Sequence, residues 1–265
     1  MQFFGLQGSY KLLDALPAHL PAALDRLIEE GYCGFNVTIP HKEAMFKLAR
    51  SHTPEAATAG AANTIKVVPD SAEFTAHNTD IAGCERALET ALQGGKTNGR
   101  ACVVGAGGAA RAALIALKKL GFDRTIVIAR EPGKAHEALS RAGLAIDIEL
   151  QALPQAPMNI EAISLIVQTT PIGQGSNEIP AWMENVVTQI DPASNLLFFD
   201  MVYARNNQET PLVQFAKDRG WQAIDGTNML VHQACLAFEF WTGKLPPFDL
   251  MKAALDAARH VPTGE

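Results

Sequence analysis

The chain has 265 residues, 48% of them hydrophobic and 19% charged, with 21 glycines spread along its length; this excludes a fibrous or disordered polymer and leaves one large domain or two modest ones. A formal charge of −6 and the lack of any Lys/Arg cluster exclude a phosphate-backbone binder, so the expected partner is a small molecule and not nucleic acid. The opening MQFFGLQGSYK has no basic stretch followed by a long apolar core, and no apolar run nears the roughly 18 residues of a membrane span, so a cytoplasmic location without membrane contact is expected.

In chain order, residues 10 to 16 (YKLLDAL) read as a short strand, and 18 to 30 set Leu20, Leu24, Leu27 and Ile28 on one helical face ending at Gly31. Strand-like residues 33 to 39 (CGFNVTI) feed a helix from about 41 to 49, an alternation that predicts a parallel sheet with flanking helices. AANTIKVV at 61 to 68, a PDS turn and EFTAH read as a strand and its return, closing a first unit at HNTD, residues 77 to 80. A helix over 81 to 92 and the glycine-rich break QGGKTNG at 93 to 99 lead into a second alternation. Its strands are 101 to 105, 125 to 129, 145 to 149, 164 to 169 and 195 to 199, with helices at 108 to 120 and 132 to 142. That order fits a doubly wound, cofactor-type domain. Helices follow at 210 to 219, 228 to 241 and 248 to 259.

Within ACVVGAGGAARAAL, Gly105, Gly107 and Ala110 have GxGxxA spacing between a strand and a helix. The first glycine permits a tight turn, the second lets backbone approach a pyrophosphate, and the third small residue allows close helix packing. The helix amides then face the anion. A ribose-reading residue belongs about 20 residues later, at the next strand tip. That tip reads Ala129, Arg130, Glu131. With no acid closing the strand and Arg130 available to a 2′-phosphate, NADP is favoured, with NAD as the alternative through Glu131.

Reducing a ketone needs a proton donor beside the carbonyl. A lysine held near a carboxylate suits that role, since its ammonium form predominates at neutrality. Lys42 in NVTIPHK and Asp80 in HNTD supply such a pair, joined by Asn63 in AANTI. Read singly, Asp80 is equally an N-cap for the following helix and Lys42 a solvated first-turn lysine. His41 reads as structural.

The ordered set NVTIPHK, GAANTI, NTD, GAGGAARA, TTPIG, DMVY with ETPL, and GTNML with HQACLAFEFWTG resembles the shikimate dehydrogenase family along nearly the whole chain. The resemblance implies an α/β fold of two domains, an N-terminal α/β substrate domain (1–80 plus 227–265) and a Rossmann-type doubly wound NADP-binding domain (81–226). It also implies reversible NADPH-dependent reduction of 3-dehydroshikimate to shikimate by a monomer or homodimer. Lys42 and Asp80 match the family's catalytic pair, and Thr38, Asn63, Tyr203 and Gln233 its substrate contacts. Gly105, Gly107, Gly108, Ala109 and Arg130 match its nucleotide contacts, while Thr170, Met201, Gly226 and Met229 fall where the family encloses the nicotinamide. The family opens with a strand and an SxS segment that are absent here, so a start at an internal methionine is expected. Two rival functions remain: a dehydrogenase of quinate or another cyclic polyhydroxy acid, and a nucleotide-binding regulatory or vestigial protein without turnover.

Cys33, Cys84, Cys102 and Cys235 form no CxxC pair and read as buried reduced thiols. The seven histidines show no HExxH and no ligand spacing, so no metal is expected.

Overall fold

The computed structural model describes residues 2–68, 71, 73–93, 99–141, 147–152, 163–175, 178–188, 196–204 and 208–259. Residues 69–70 of the expected PDS turn, 94–98 of the glycine-rich break, and the starts of the strands expected at 145 and 195 lie outside these.

The first sheet contains β1 (Gly34–Asn36), β2 (Ser51–His52), β3 (Thr64–Val67) and β4 (Phe74–His77) in the order β1-β3-β4-β2. It is mixed, not parallel as the β-α alternation predicts: β3 runs antiparallel to β1 and β4, and only β2 and β4 are parallel. Residues 68–73 are all that separates β3 from β4, too few for the crossover that parallel neighbours require. Helices α1 (Leu20–Glu29), α2 (Lys42–Leu48) and α3 (Pro54–Ala59) accompany this sheet. Leu20 and Leu24 of α1 and Met45 of α2 join Ile65 and Phe74 in its core. The periodicity read at 18 to 30 is thus the buried face of α1.

Residues 10–16 form no strand. YKLLDAL lacks the period of two that gives a strand one buried face, and Tyr10, Leu12 and Leu16 are 64%, 95% and 64% exposed. The segment is held from outside any ladder: His41 Nε2 donates to the Ala15 carbonyl at 2.8 Å, and the Tyr10 hydroxyl to Asn36 Oδ1 at 3.0 Å.

The second sheet is formed by β5 (Arg100–Val104), β6 (Arg124–Ala129), β7 (Asp147–Ala152), β8 (Ile163–Gln168), β9 (Leu197–Asp200) and β10 (Gln222–Ile224). All its pairs are parallel, in the order β10-β9-β8-β5-β6-β7. This is the doubly wound order, with its switch point between β5 and β8. The helices are α4 (Asp80–Ala91), α5 (Gly108–Lys119), α6 (Pro132–Arg141), α7 (Ala181–Thr188), α8 (Pro211–Asp218), α9 (Thr227–Thr242) and α10 (Phe248–Arg259). Val103, Val127, Leu165 and Phe199 pack on one face with residues of α4, α5 and α9. Cys102, Ile126, Ile166 and Phe198 pack on the other with residues of α7 and α8. Burial on both faces explains why these strands read as unbroken apolar runs.

Helix α9 spans the two sheets. Met229 near its start belongs to the second core. Near its end Trp241 Nε1 donates to the Ile65 carbonyl at 2.8 Å, and the Phe240 carbonyl accepts from Lys66 Nζ at 2.9 Å. All four cysteines are free; Cys84, Cys102 and Cys235 are buried as expected, whereas Cys33, just before the edge strand β1, is exposed. Burial pushes the Cys102 thiol up to about 12 and Cys84 higher still, leaving both unreactive.

Candidate active site

Two helix starts bring the central pair together. Lys42 is the first residue of α2 and Asp80 the first of α4. Lys42 Nζ donates to Asp80 Oδ2 at 2.7 Å, with the two side chains 19% and 10% exposed. The other carboxylate oxygen accepts from Asn63 Nδ2 at 2.7 Å. So sheltered a pair must recover the desolvation of both charges through such bonds.

Asp80 is not the N-cap of α4. Asn78 Oδ1 accepts from the Asp80 and Ile81 amides at 3.0 and 3.4 Å, leaving the Asp80 carboxylate to Lys42 and Asn63. The Thr79 amide, which can only donate, bonds Asn63 Oδ1 at 2.9 Å and so turns the Asn63 NH₂ toward Asp80. Gln233 Oε1 on α9 accepts from the same NH₂ at 3.3 Å. α9 comes this close to α4 because residue 83 is glycine: a Cβ there would stand 3.0 Å from the Met229 carbonyl and 3.1 Å from Gln233 Cβ. Asn78 and Thr79 escaped the residue-by-residue reading, although both stand inside the HNTD motif that signals them.

Lys42, Asp80, Asn63 and Gln233 line a cavity of about 670 Å³, with the more exposed Thr38 and Tyr203 also on its wall. The volume suits a small organic ligand. The same cavity runs on to Ala109, Thr170, Met201, Gly226 and Met229, reaching the start of α5 and the segments just past the carboxyl ends of β8 and β9. Gly105, Gly107, Gly108 and Arg130 lie outside its lining.

The glycine turn follows β5 at the switch point. Gly105 has φ 115°, and a Cβ there would lie 2.4 Å from Thr169 Oγ1, so only glycine fits. Gly107 precedes α5, and a Cβ there would meet nothing within 4 Å. Open space beside the orphan amides of a helix start fits a pyrophosphate. Ala110 is fully buried, as close helix packing requires. Arg130 is exposed just beyond the end of β6. Glu131 is engaged by Lys134 at 2.5 Å, and that partner holds its carboxyl below the usual range. Lys134, one helical turn into α6, was not read as part of this site; only its spacing from Glu131 signals it.

A buried polar cluster shapes the wall opposite. Asp200 at the end of β9 is fully buried and accepts from Thr210 Oγ1 at 2.6 Å, the Val202 amide at 3.0 Å and Gln168 Nε2 at 3.4 Å. Gln168, also fully buried, donates to the carbonyls of Thr170 at 3.0 Å and Ile172 at 3.2 Å. Burial pushes the Asp200 carboxyl up to about 7, against the pull of the Thr210 hydrogen bond. The sequence signal was a polar residue closing an apolar strand, in SLIVQ and LLFFD.

The fold and the site define a dinucleotide-binding α/β protein with a lysine–aspartate pair in the cleft beside its cofactor-type sheet. Residues 1–65 match the shikimate dehydrogenase substrate binding domain and residues 226–255 the shikimate 5'-dehydrogenase C-terminal domain. The chain belongs to the shikimate dehydrogenase family. It is 35% identical to the shikimate dehydrogenase (NADP(+)) of Rhizobium meliloti (strain 1021), over 93% of this chain and 83% of that one. The solved shikimate 5-dehydrogenase of Thermus thermophilus, in complex with shikimate, superposes with a TM-score of 0.79 at 32% identity, covering 98% of this chain and 91% of the other. Quinate dehydrogenase of Corynebacterium glutamicum in complex with NAD matches with a TM-score of 0.76 at 27% identity, covering 90% and 82%.

Proposed function

We propose that this chain is an NADP-dependent shikimate dehydrogenase, interconverting 3-dehydroshikimate and shikimate, with Lys42 and Asp80 as its acid–base pair. The carrying observation is the 2.7 Å Lys42–Asp80 contact in a cavity that continues to the carboxyl end of a doubly wound sheet. Bound NADPH supplies the hydride for the ring carbonyl. Lys42 donates the proton that the forming alkoxide needs, and Asp80 holds the ammonium toward the ring and neutralises it. Asn63 and Gln233 orient the ring hydroxyls, while Thr38 and Tyr203 contact the substrate from the exposed wall of the cavity. In the reverse direction Lys42 first releases a proton to solvent, and the neutral amine then accepts the hydroxyl proton, with Asp80 as the electrostatic partner of the ammonium that forms.

On the cofactor side, Gly105, Gly107, Gly108 and Ala109 hold the pyrophosphate, Arg130 meets the 2′-phosphate, and Thr170, Met201, Gly226 and Met229 enclose the nicotinamide. Residues 1–80 with 227–265 make the substrate domain and 81–226 the cofactor domain. Among the described residues no helix is long and apolar enough to cross a membrane. The proposed setting is the cytoplasm, as a monomer or homodimer.

The test is initial-rate measurement with shikimate and quinate, each with NADP⁺ and NAD⁺, on the wild type and on Lys42→Ala and Asp80→Ala. Shikimate with NADP⁺ is expected to give the highest kcat/KM, and each substitution to lower kcat by about 10²-fold or more. The solved quinate dehydrogenase neighbour favours one second reading, which a higher kcat/KM for quinate would establish. NADPH binding without turnover of either acid would leave a nucleotide-binding protein of another class.

A further inference from the structure

The helix that follows the glycine turn and the helix that begins with Lys42 are joined directly. Arg111 on α5 donates from Nη2 to Oε1 of Glu43, the residue after Lys42 on α2. The Arg111 side chain is 7% exposed and that of Glu43 57%, so the guanidinium is the sheltered member and the carboxylate covers it from the solvent side. Small residues stand beside the guanidinium. A Cβ at Gly60 would lie 3.4 Å from Arg111 Nη1, and one at Gly108 would lie 3.8 Å from Nη2 and 3.9 Å from Ala61 Cβ. Arg111 Nε has no hydrogen-bond partner among the described residues.

Arg111 interrupts a helix face that is otherwise apolar, since every residue from Ala110 to Leu117 is buried. Burying a cation there costs desolvation that an apolar residue of similar length would avoid, so electrostatic stabilisation does not account for an arginine at this place. Its reach does: from α5 the guanidinium spans to α2 and ties the two helices through the one Nη2–Oε1 contact. α5 begins at Gly108 in the phosphate turn, and α2 begins at Lys42. We infer that Arg111 and Glu43 are positioning residues: their ion pair sets where Lys42 stands relative to the cofactor end of the cleft, without touching substrate. The inference rests on the proposed dehydrogenase reading.

The experiment compares Arg111→Met, Glu43→Gln, the double variant and the conservative Arg111→Lys with the wild type, each assayed well below its own Tm. Misplacing a proton donor by a fraction of its reach lowers the rate far more than it weakens binding. Each single charge-removing variant is therefore expected to lose about 10- to 100-fold in kcat with KM for shikimate and NADP⁺ within about threefold, and Arg111→Lys is expected to recover part of the loss. The double variant should lose no more than the worse single, as for two ends of one contact. A brace for folding alone would lower Tm and leave kcat within about twofold in both singles, and that result overturns the inference. Wild-type turnover and its loss in Lys42→Ala decide the dehydrogenase reading separately. If the wild type does not turn over, the thermal shifts of the four chains decide the contact itself: non-additive shifts support it, and additive shifts overturn it.

Discussion

Asn63 and Asp80 share a 2.7 Å hydrogen bond that occupies one carboxylate oxygen and leaves the other to Lys42. Asn63 is 3% exposed, and its carbonyl accepts from the Thr79 amide and from the hydroxyls of Thr79 and Thr64. Replacing Asn63 by Ala strips a partner from Asp80 and orphans the buried Thr79 amide, at a cost of about 1–3 kcal/mol for the unsatisfied group, while the two hydroxyls keep each other and Gln233 as partners. Asn63→Ala is therefore expected to lower both kcat and Tm. Steady-state kinetics and thermal unfolding on one preparation check it, and an unchanged kcat would show that Lys42 alone holds the carboxylate.

The Asp200 carboxyl gives the protein a pH-dependent stability of definite sign. Its folded value, about 7, lies above the ordinary 3.8, so between those values the folded chain keeps a proton that the unfolded chain has lost. Stability from this group is present below the ordinary value and falls as pH rises through the window toward 7. Asp200→Asn holds the site in a neutral form. The expected outcome is that the wild type loses more urea resistance between about pH 5 and about pH 8 than Asp200→Asn does. Equal losses would mean that Asp200 is ionised throughout.

On the proposed reading, cofactor choice turns on the Arg130–Lys134 edge. Glu131, the carboxylate that would accept from a 2′-hydroxyl and repel a 2′-phosphate, is occupied by Lys134. Arg130→Ala is expected to raise KM for NADP⁺ by about tenfold while leaving KM for NAD⁺ within about twofold, because only the first ligand carries the extra phosphate. Lys134→Ala frees the Glu131 charge and should move selectivity the same way. Both effects should shrink at high salt, since all three side chains are exposed.

Much of this was legible from residue order, and the failures have physical causes. The glycine turn, the doubly wound sheet and the α1 face rest on local patterns, so spacing alone carried them. Lys42, Asn63 and Asp80 were legible because each lies in a polar motif at the end of an element. Residues 10–16 failed because apolar content was read as a strand without the alternation or the partner a strand needs. The sense of the first sheet failed because it is fixed by a hairpin that β-α counting ignores. Arg111 and Glu43, far apart in sequence, carried no local signal for each other. Asn78 was missed because the capping role was read at Asp80, whereas the side chain two residues earlier accepts from the first amides of α4.

The approach of α9 to α4 gives the last expectation. Gly83 faces the Met229 carbonyl and Gln233 Cβ at distances that a real Cβ contact rarely shows, so any side chain there must push α9 away from α4. Gln233 reaches Asn63 and Thr79 only at 3.3 Å, and a shift of a few tenths of an ångström breaks both bonds. In an exposed helix interior Gly→Ala stabilises, by roughly 0.5–1 kcal/mol. Gly83→Ala is expected to do the reverse, lowering Tm and raising KM for shikimate, with a smaller rise in KM for NADP⁺. The effects differ in size because Gln233 and Met229 both move with α9, whereas the glycine turn belongs to α5. A raised Tm with unchanged KM would show that the two helices tolerate the added methyl.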